Sequence, residues 1–192
     1  MRHSRLPREA VLERASGVGL PDNPQGTSWG SWGKLMRSWG DVEAGNGAAS
    51  QQTDTEGFIA GFDGGTANDS RSLRFGVYGS YLDTRIRIDA RGSNGRIEQT
   101  GGGIYASLAL GRLSLAAGGG AAHFDITTQR VVALPGLADA TSSGSTGDMA
   151  QLFGRIGYSF DLGAVTFEPF VAGDAAWIAI EPVRESGGAA AV

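Results

Sequence analysis

Ser114, His123 and Asp125 are the side chains here whose types could cleave an ester or a peptide. A hydrolytic triad needs its hydroxyl and imidazole within hydrogen-bond reach. The stretch around them alternates as a β-strand, and at strand rise nine residues separate Ser114 from His123 by roughly 30 Å. They cannot share a proton, and the other histidine, His3, stands in the N-terminal tail. No catalytic residue is expected. Gly101 to Gly103 and Gly118 to Gly120 match phosphate-cradling loops in composition only. They fall inside strands, not at a strand-to-helix turn, so nucleotide binding is not expected. Without cysteine the chain has neither disulfides nor thiolate metal sites. No metal, cofactor or small-molecule substrate is predicted. A net charge of −4 with a single lysine, Lys34, leaves no basic stripe for nucleic acid. Asp63, ahead of Gly64 and Gly65, reads as turn chemistry.

The remaining polar residues of interest depend on the strands that carry them. Between Gly147 and Glu181 the sequence reads with period two as a hairpin with an apolar and a polar face. Leu152, Gly154, Ile156, Tyr158 and Phe160 share one face of the first strand, with Gln151, Phe153 and Arg155 opposite. In the second strand the phase flips: Val165, Phe167, Val171 and Trp177 are apolar-side, Glu168 and Asp174 polar-side. A turn of Asp161, Leu162 and Gly163 predicts Tyr158 opposite Phe167, Gln151 opposite Asp174, and Arg155 diagonal to Glu168. Phe167 and Trp177 lie ten residues apart on the apolar side. In a strand tilted by about 40° that is about 25 Å of height, the depth of a lipid-facing band with an aromatic girdle at each edge.

Along the chain, residues 5–15 carry a helix signal, with Pro7 at its start, Ala10, Val11 and Leu12 as a weak apolar side and Gly17 as a stop. A Gly/Pro linker follows, so 1–27 are read as one unit and 28–192 as a β-domain. The first strand, Ser28 to Asp41, has an ambiguous phase: Trp29 and Trp39 share a face with Arg37, Trp32 with Lys34. The second covers Thr53 to Asp63. The third shows Leu73, Phe75, Val77 and Tyr81 on one side against Arg74 and Tyr78. In the fourth, Ile104, Ala106 and Leu108 oppose Tyr105. A tight Gly111–Arg112 turn predicts Leu108 opposite Leu115 and Tyr105 opposite Gly118, its ring over that glycine. After Glu181 a loop and the start of an eighth strand are expected.

The predicted connections alternate in length: 42–52, 83–97 and 127–148 are long, while 64–70, 111–112 and 161–163 are short. Transmembrane barrels show this signature, and β-propellers and sandwiches do not impose it. Nothing approaches 18 consecutive apolar residues, so a membrane helix is not expected. The fold class is therefore an all-β, antiparallel, up-and-down transmembrane barrel preceded by a short helix, with outer-membrane lipid as a partner. Its aromatic girdle is assigned to Tyr81, Tyr158, Phe160, Phe167 and Trp177. The lumen-facing polar residues are Arg74, Tyr105, Gln151, Arg155, Glu168 and Asp174. These either line a hydrated pore or pair charges that hold the barrel's shape. His123 becomes a rim residue near the outer leaflet, and the charges from Asp83 to Arg91 a solvated face.

SRLPREAVLER, SWGSWGKLMRSWGD, TEGFIAGFDGG, LRFGVYGSY, GGGIYASLALGRLSLAAGGGAAHFD, AQLFGRIGYSFDLGAVTFEPFVAGDAAW and ESGGAAAV, in this order, resemble the C-terminal translocator of a classical autotransporter, the type V secretion family. The resemblance implies a twelve-strand barrel with a linker helix through its lumen, an outer-membrane location, a passenger ahead of the linker and contact with the barrel-assembly machinery. Residues 5–15 correspond to the end of that helix, with Pro7 a departure. The N-terminal MRHSRLPREAVLER has no apolar core and is no signal peptide, and the expected object is a fragment with about 7–8 of the strands. Unpaired edges in lipid cost several kcal/mol per open group, so the isolated chain is expected to aggregate or to need partner strands that complete the barrel. Two other readings remain: a free-standing small outer-membrane channel or adhesin-like barrel, and a soluble secreted β-sandwich binding module.

Overall fold

The computed structural model describes residues 5–16, 26–42, 50–88, 93–134, 137–163, 165–182 and 184–186. One helix, α1 (Arg5–Ala15), precedes strands β1 (Gly26–Val42), β2 (Gln51–Asn68), β3 (Arg71–Ile88), β4 (Ser93–Leu110), β5 (Leu113–Leu134) and β6 (Leu137–Tyr158). Short strands β7 (Phe160–Asp161) and β8 (Thr166–Phe167), then β9 (Phe170–Ile180) and β10 (Arg184–Ser186), follow. β1 to β6 pair with their neighbours in sequence order, all antiparallel, and β9 and β10 both lie along the far side of β6. The sheet is open, with β1 at one edge and β9 with β10 at the other.

The alternation of side chains decides which face is covered. On β6, paired on both sides, Gln151 and Phe153 are buried while Leu152 and Ile156 are 58% and 48% exposed. Phe62, Phe75, Val77 and Ile104 stand exposed on the same side as Leu152. A contiguous apolar face of this extent is not tolerated in water by a monomer. Among the described residues no second protein layer covers it, which speaks against the β-sandwich reading. The other face packs on α1: Val11, Ala10 and Ala15 meet Met36, Ile59, Tyr78, Leu82, Tyr105, Ala116 and Phe153. Pro7 sits in the first turn of the helix, where its missing N–H is no loss, and Arg14 in the last turn suits the helix dipole. The ambiguous first strand is thereby settled. Trp29, Leu35 and Trp39 point to the open face, and Trp32 and Met36 to the helix.

Several predicted connections prove to be strand. β2 runs through Gly64 and Gly65 to Asn68, and the turn is only Asp69 and Ser70. Its chemistry comes from Asn68, whose Oδ1 accepts the N–H groups of Ser70 and Arg71 at 3.1 and 2.9 Å. Most of 83–97 belongs to β3 and β4, and residues 127–134 and 137–148 form the arms of the β5–β6 hairpin. Of the 42–52 loop, β2 takes Gln51 and Gln52, while 43–49 lie outside the described residues. In the 83–97 tract Asp83, Arg85, Arg87 and Arg96 stand on the face that carries Tyr81, because the tract continues the ladder past the apolar band. The asymmetry expected of loop lengths thus reappears as strand lengths.

The β4–β5 register is as predicted, with Leu108 opposite Leu115 and Tyr105 opposite Gly118. The last hairpin is shifted by two residues: Ile156 faces Val171, Phe153 faces Asp174, and Phe160 faces Phe167. Its turn is longer than expected, closed by the Leu162 N–H to the Val165 carbonyl at 2.9 Å, with Gly163 at φ 81°. A shift of two leaves every side chain on its predicted face. Beyond Glu181, whose N–H reaches the Thr146 carbonyl, β10 continues along β6, and residues 187–192, where the start of an eighth strand is expected, lie outside the described residues.

Candidate functional site: a helix clamped on the polar face

Asp63 lies on β2 two residues beyond Gly61, in phase with Ile59 and opposite in phase to Phe58 and Phe62. Its side chain is fully buried beneath α1, so the expectation of turn chemistry at Asp63 is overturned. Arg14 of the helix approaches as a fork, Nε donating to Oδ2 at 2.7 Å and Nη2 to Oδ1 at 3.0 Å. Arg74 Nη1 donates to Oδ1 at 2.6 Å, and the Tyr105 hydroxyl donates to Oδ2 at 2.6 Å. That hydroxyl in turn accepts from Trp32 Nε1 at 2.9 Å. One carboxylate therefore joins the helix to β1 through β4. Buried charges persist when fully hydrogen-bonded, and this one carries four donors.

Glycine makes the approach possible. Tyr105 lies across Gly76, where a Cβ would come within 2.6 Å of the ring. Gly118, predicted to lie under Tyr105, sits instead under Phe153, whose ring would be 2.7 Å from a Cβ. Both glycines flank Tyr105 in the ladder, so period two fixes the ring's face but leaves its lean undecided.

Around the clamp, further contacts reach both edges of the sheet. Arg8 pairs with Asp174 on β9, and Glu13 with Lys34 on β1. Arg155 Nη1 donates to Ser16 Oγ at 3.2 Å, just past the helix, and Arg155 also stacks on Phe170 at 4.0 Å. Its Nη2 donates to Glu168 at 3.3 Å, where the hydroxyls of Ser114 and Ser159 also donate, each at 3.2 Å.

Of the expected polar residues, Arg74, Tyr105, Gln151, Arg155 and Asp174 thus lie on the helix-bearing face, with Glu168 against Arg155. Gln151 faces Ala176, not Asp174. Arg74, for which the sequence offers no partner, is tied to Asp63. The expected aromatics lie on the open face: Tyr158 and Phe160 pack 4.9 Å apart at the tight-turn end, with Phe167 opposite Phe160. Tyr81 is toward the other end beside Phe58, and Trp177 faces Ala150. Sequence reasoning missed Asp63, Arg14 and Trp32. For Asp63 the signal was present, since Phe58, Ala60 and Phe62 on one face put residue 63 on the other.

Ser114 and His123 have separate partners. The hydroxyl is on Glu168, and His123 Nδ1 is 2.8 Å from Asp148. Outward residues beyond Tyr81 turn from apolar to charged, beginning with Asp83, Glu56 and Glu98. There, outside the apolar band, Arg96 holds the Asp83 carboxyl below its ordinary range. Among the described residues no three His, Cys, Asp or Glu side chains are grouped to hold a metal.

A meandering antiparallel sheet with one exposed apolar face and a helix held by charge on the other defines a domain of the outer-membrane β-barrel class. Residues 31–192 match the family model of the autotransporter β-domain. The chain belongs to that family, whose domain is the translocator part of type V secretion proteins. It is similar to two extracellular serine proteases of Serratia marcescens, 31% identical over 193 residues and 30% over 192. Each alignment covers 98% of this chain but 18% of the relative, so the chain spans under a fifth of the length of these curated relatives. No solved structure matches it.

Proposed function

We propose that this chain anchors a passenger in the outer membrane and assists its export, with α1 as the end of the linker that joins the passenger to the barrel. The observation that carries this reading is the Asp63 clamp. A helix joined by charge to β1, β2 and β9, on the face away from lipid, is what a linker parked in a barrel lumen requires. On this reading Arg74, Tyr105, Gln151, Arg155, Glu168 and Asp174 face the lumen, and Tyr81, Tyr158, Phe160, Phe167 and Trp177 form the girdles. The apolar face meets lipid, residues 1–27 form the linker unit and 28–192 the barrel unit, and insertion uses the barrel-assembly machinery. The serine protease activity in the relatives' names would reside in a passenger, and this chain performs no catalysis.

The test is export. The chain is expressed in a Gram-negative host behind a signal peptide and an epitope tag, and joined at its C-terminal end to strands of another autotransporter β-domain that complete the barrel, and cells are fractionated and shaved with protease. The expected result is recovery in the outer membrane with the tag removed from intact cells. A soluble periplasmic product with a protected tag would overturn the proposal.

A further inference from the structure

Arg85, Arg87 and Arg96 stand together on the open face, just past the end of the apolar band. Arg85 is directly opposite Arg96, and Arg87 is opposite Asn94. Like charges facing each other across a ladder are destabilising unless an anion lies between them. Asp83 supplies part of that charge: Arg96 donates to it at 3.2 and 2.7 Å, and Arg85 at 3.4 Å. Glu98 lies 3.3 Å from Arg96 and Glu56 3.6 Å from Arg85. Asp54 is opposite Arg85 but pairs with Arg37 at 3.8 Å. These contacts use one nitrogen of Arg85 and two of Arg96, although a guanidinium carries five N–H donors. Arg87 has no ion pair among the described residues. The three guanidinium groups line a cavity of about 420 Å³ with Asn94, Thr127 and Gln129, and Glu98 is its single carboxylate.

We infer that this cavity binds the phosphate of an outer-leaflet lipid. Its position selects the source. Its three arginines, Asn94 and Glu98 share a face with Tyr81, Phe58 and Ile104, so a headgroup whose chains lie on that apolar face brings its phosphate to the level of Arg85, Arg87 and Arg96. Planar guanidinium forks match phosphate oxygens two at a time, while Asn94 and Gln129 offer amide N–H groups to a sugar or glycerol backbone. This rests on the membrane orientation proposed above, but not on passenger export.

The test uses the full chain in neutral detergent micelles, titrated with diphosphorylated lipid A, with the same lipid dephosphorylated, and with inorganic phosphate. Binding is read by the fluorescence of Trp39, which lines an adjoining cavity with Arg85 and Arg87. The phosphorylated lipid is expected to bind at least about tenfold more tightly than the dephosphorylated one, a difference that corresponds to one charge-assisted hydrogen bond. Arg87→Gln, which breaks no ion pair, should weaken binding by roughly tenfold while leaving thermal unfolding unchanged. Arg85→Gln with Arg87→Gln should abolish the preference. Equal binding of the two lipids, saturation by inorganic phosphate at the same concentration, or an unaltered preference in both variants would overturn the inference. None of these readouts depends on export, so a chain that binds yet exports nothing contradicts only the proposal above.

Discussion

Two aspartates, Asp63 and Asp83, each collect arginines from neighbouring elements, and their surroundings separate their roles. Asp63 is fully buried, and Arg14 and Arg74 are 17% and 15% exposed. Asp83 is nearly as enclosed, at 9%, but Arg96 and Arg85 are 49% and 55% exposed. Coulomb attraction between such groups scales inversely with the local dielectric. In the first cluster water cannot replace a lost partner, so the carboxylate is held by four donors and the helix is fixed. In the second, water and salt compete, and the arginines keep donors for something else. A carboxylate with its arginines is a clamp where it is dry and a contact surface where it is wet.

The contrast predicts unequal responses to the same kind of change. Asp63→Ala removes the shared partner of two buried guanidinium groups and should cost about 3–5 kcal/mol. It should also free the helix. Urea unfolding in micelles measures the first, and protease cleavage after Arg14 the second; an unchanged midpoint with a protected Arg14 would erase the distinction between the two clusters. Gly118→Ala tests the packing that gives the dry site its shape. The new methyl would stand 2.7 Å from Phe153 and 2.9 Å from the Ile104 carbonyl, an overpacking expected to cost about 1–3 kcal/mol in the same assay. Tyr105→Phe deletes only the hydroxyl between Trp32 and Asp63. A loss near 1 kcal/mol is expected, together with altered emission from Trp32.

How much of this was legible in the sequence differs between faces and clusters. The faces were readable because side chains repeat every two residues. Even the last hairpin, misplaced by two, kept Leu152 and Ile156 on the side opposite Arg155. The ends of strands were not readable. Gly64-Gly65 carries the composition of a turn, yet the pair lies within the ladder, opposite Phe75 and Arg74, and Gly64 admits the ring of Trp29, which would stand 2.0 Å from a Cβ. Taking it for a turn hid Asp63, the residue on which the helix depends. The polar run from Asp83 onward resembled a loop because, past the apolar band, neither face needs to be greasy. Arg14, Asp63, Arg74 and Tyr105 come from four elements, and alternation gives each residue its face without its height. Their meeting is a consequence of register and of where the helix lies.

The wet cluster should show the smallest effect and a distinctive pH dependence. Arg96 keeps the folded Asp83 carboxyl below its usual range, so the folded state binds that proton less readily than the unfolded chain does. The stabilisation is then present above the unfolded value, about 3.9, and disappears as pH falls through the lowered folded value. With its partners half in water, the gain should stay below about 1 kcal/mol and shrink with salt. Comparing thermal unfolding of wild type and Asp83→Asn from pH 7 downward measures it. The two curves should differ slightly at neutral pH, converge in acid, and draw together in concentrated salt. A gap that is large at pH 7 and indifferent to salt would mean that Asp83 is as dry as Asp63, and the division between clamp and contact surface would fail.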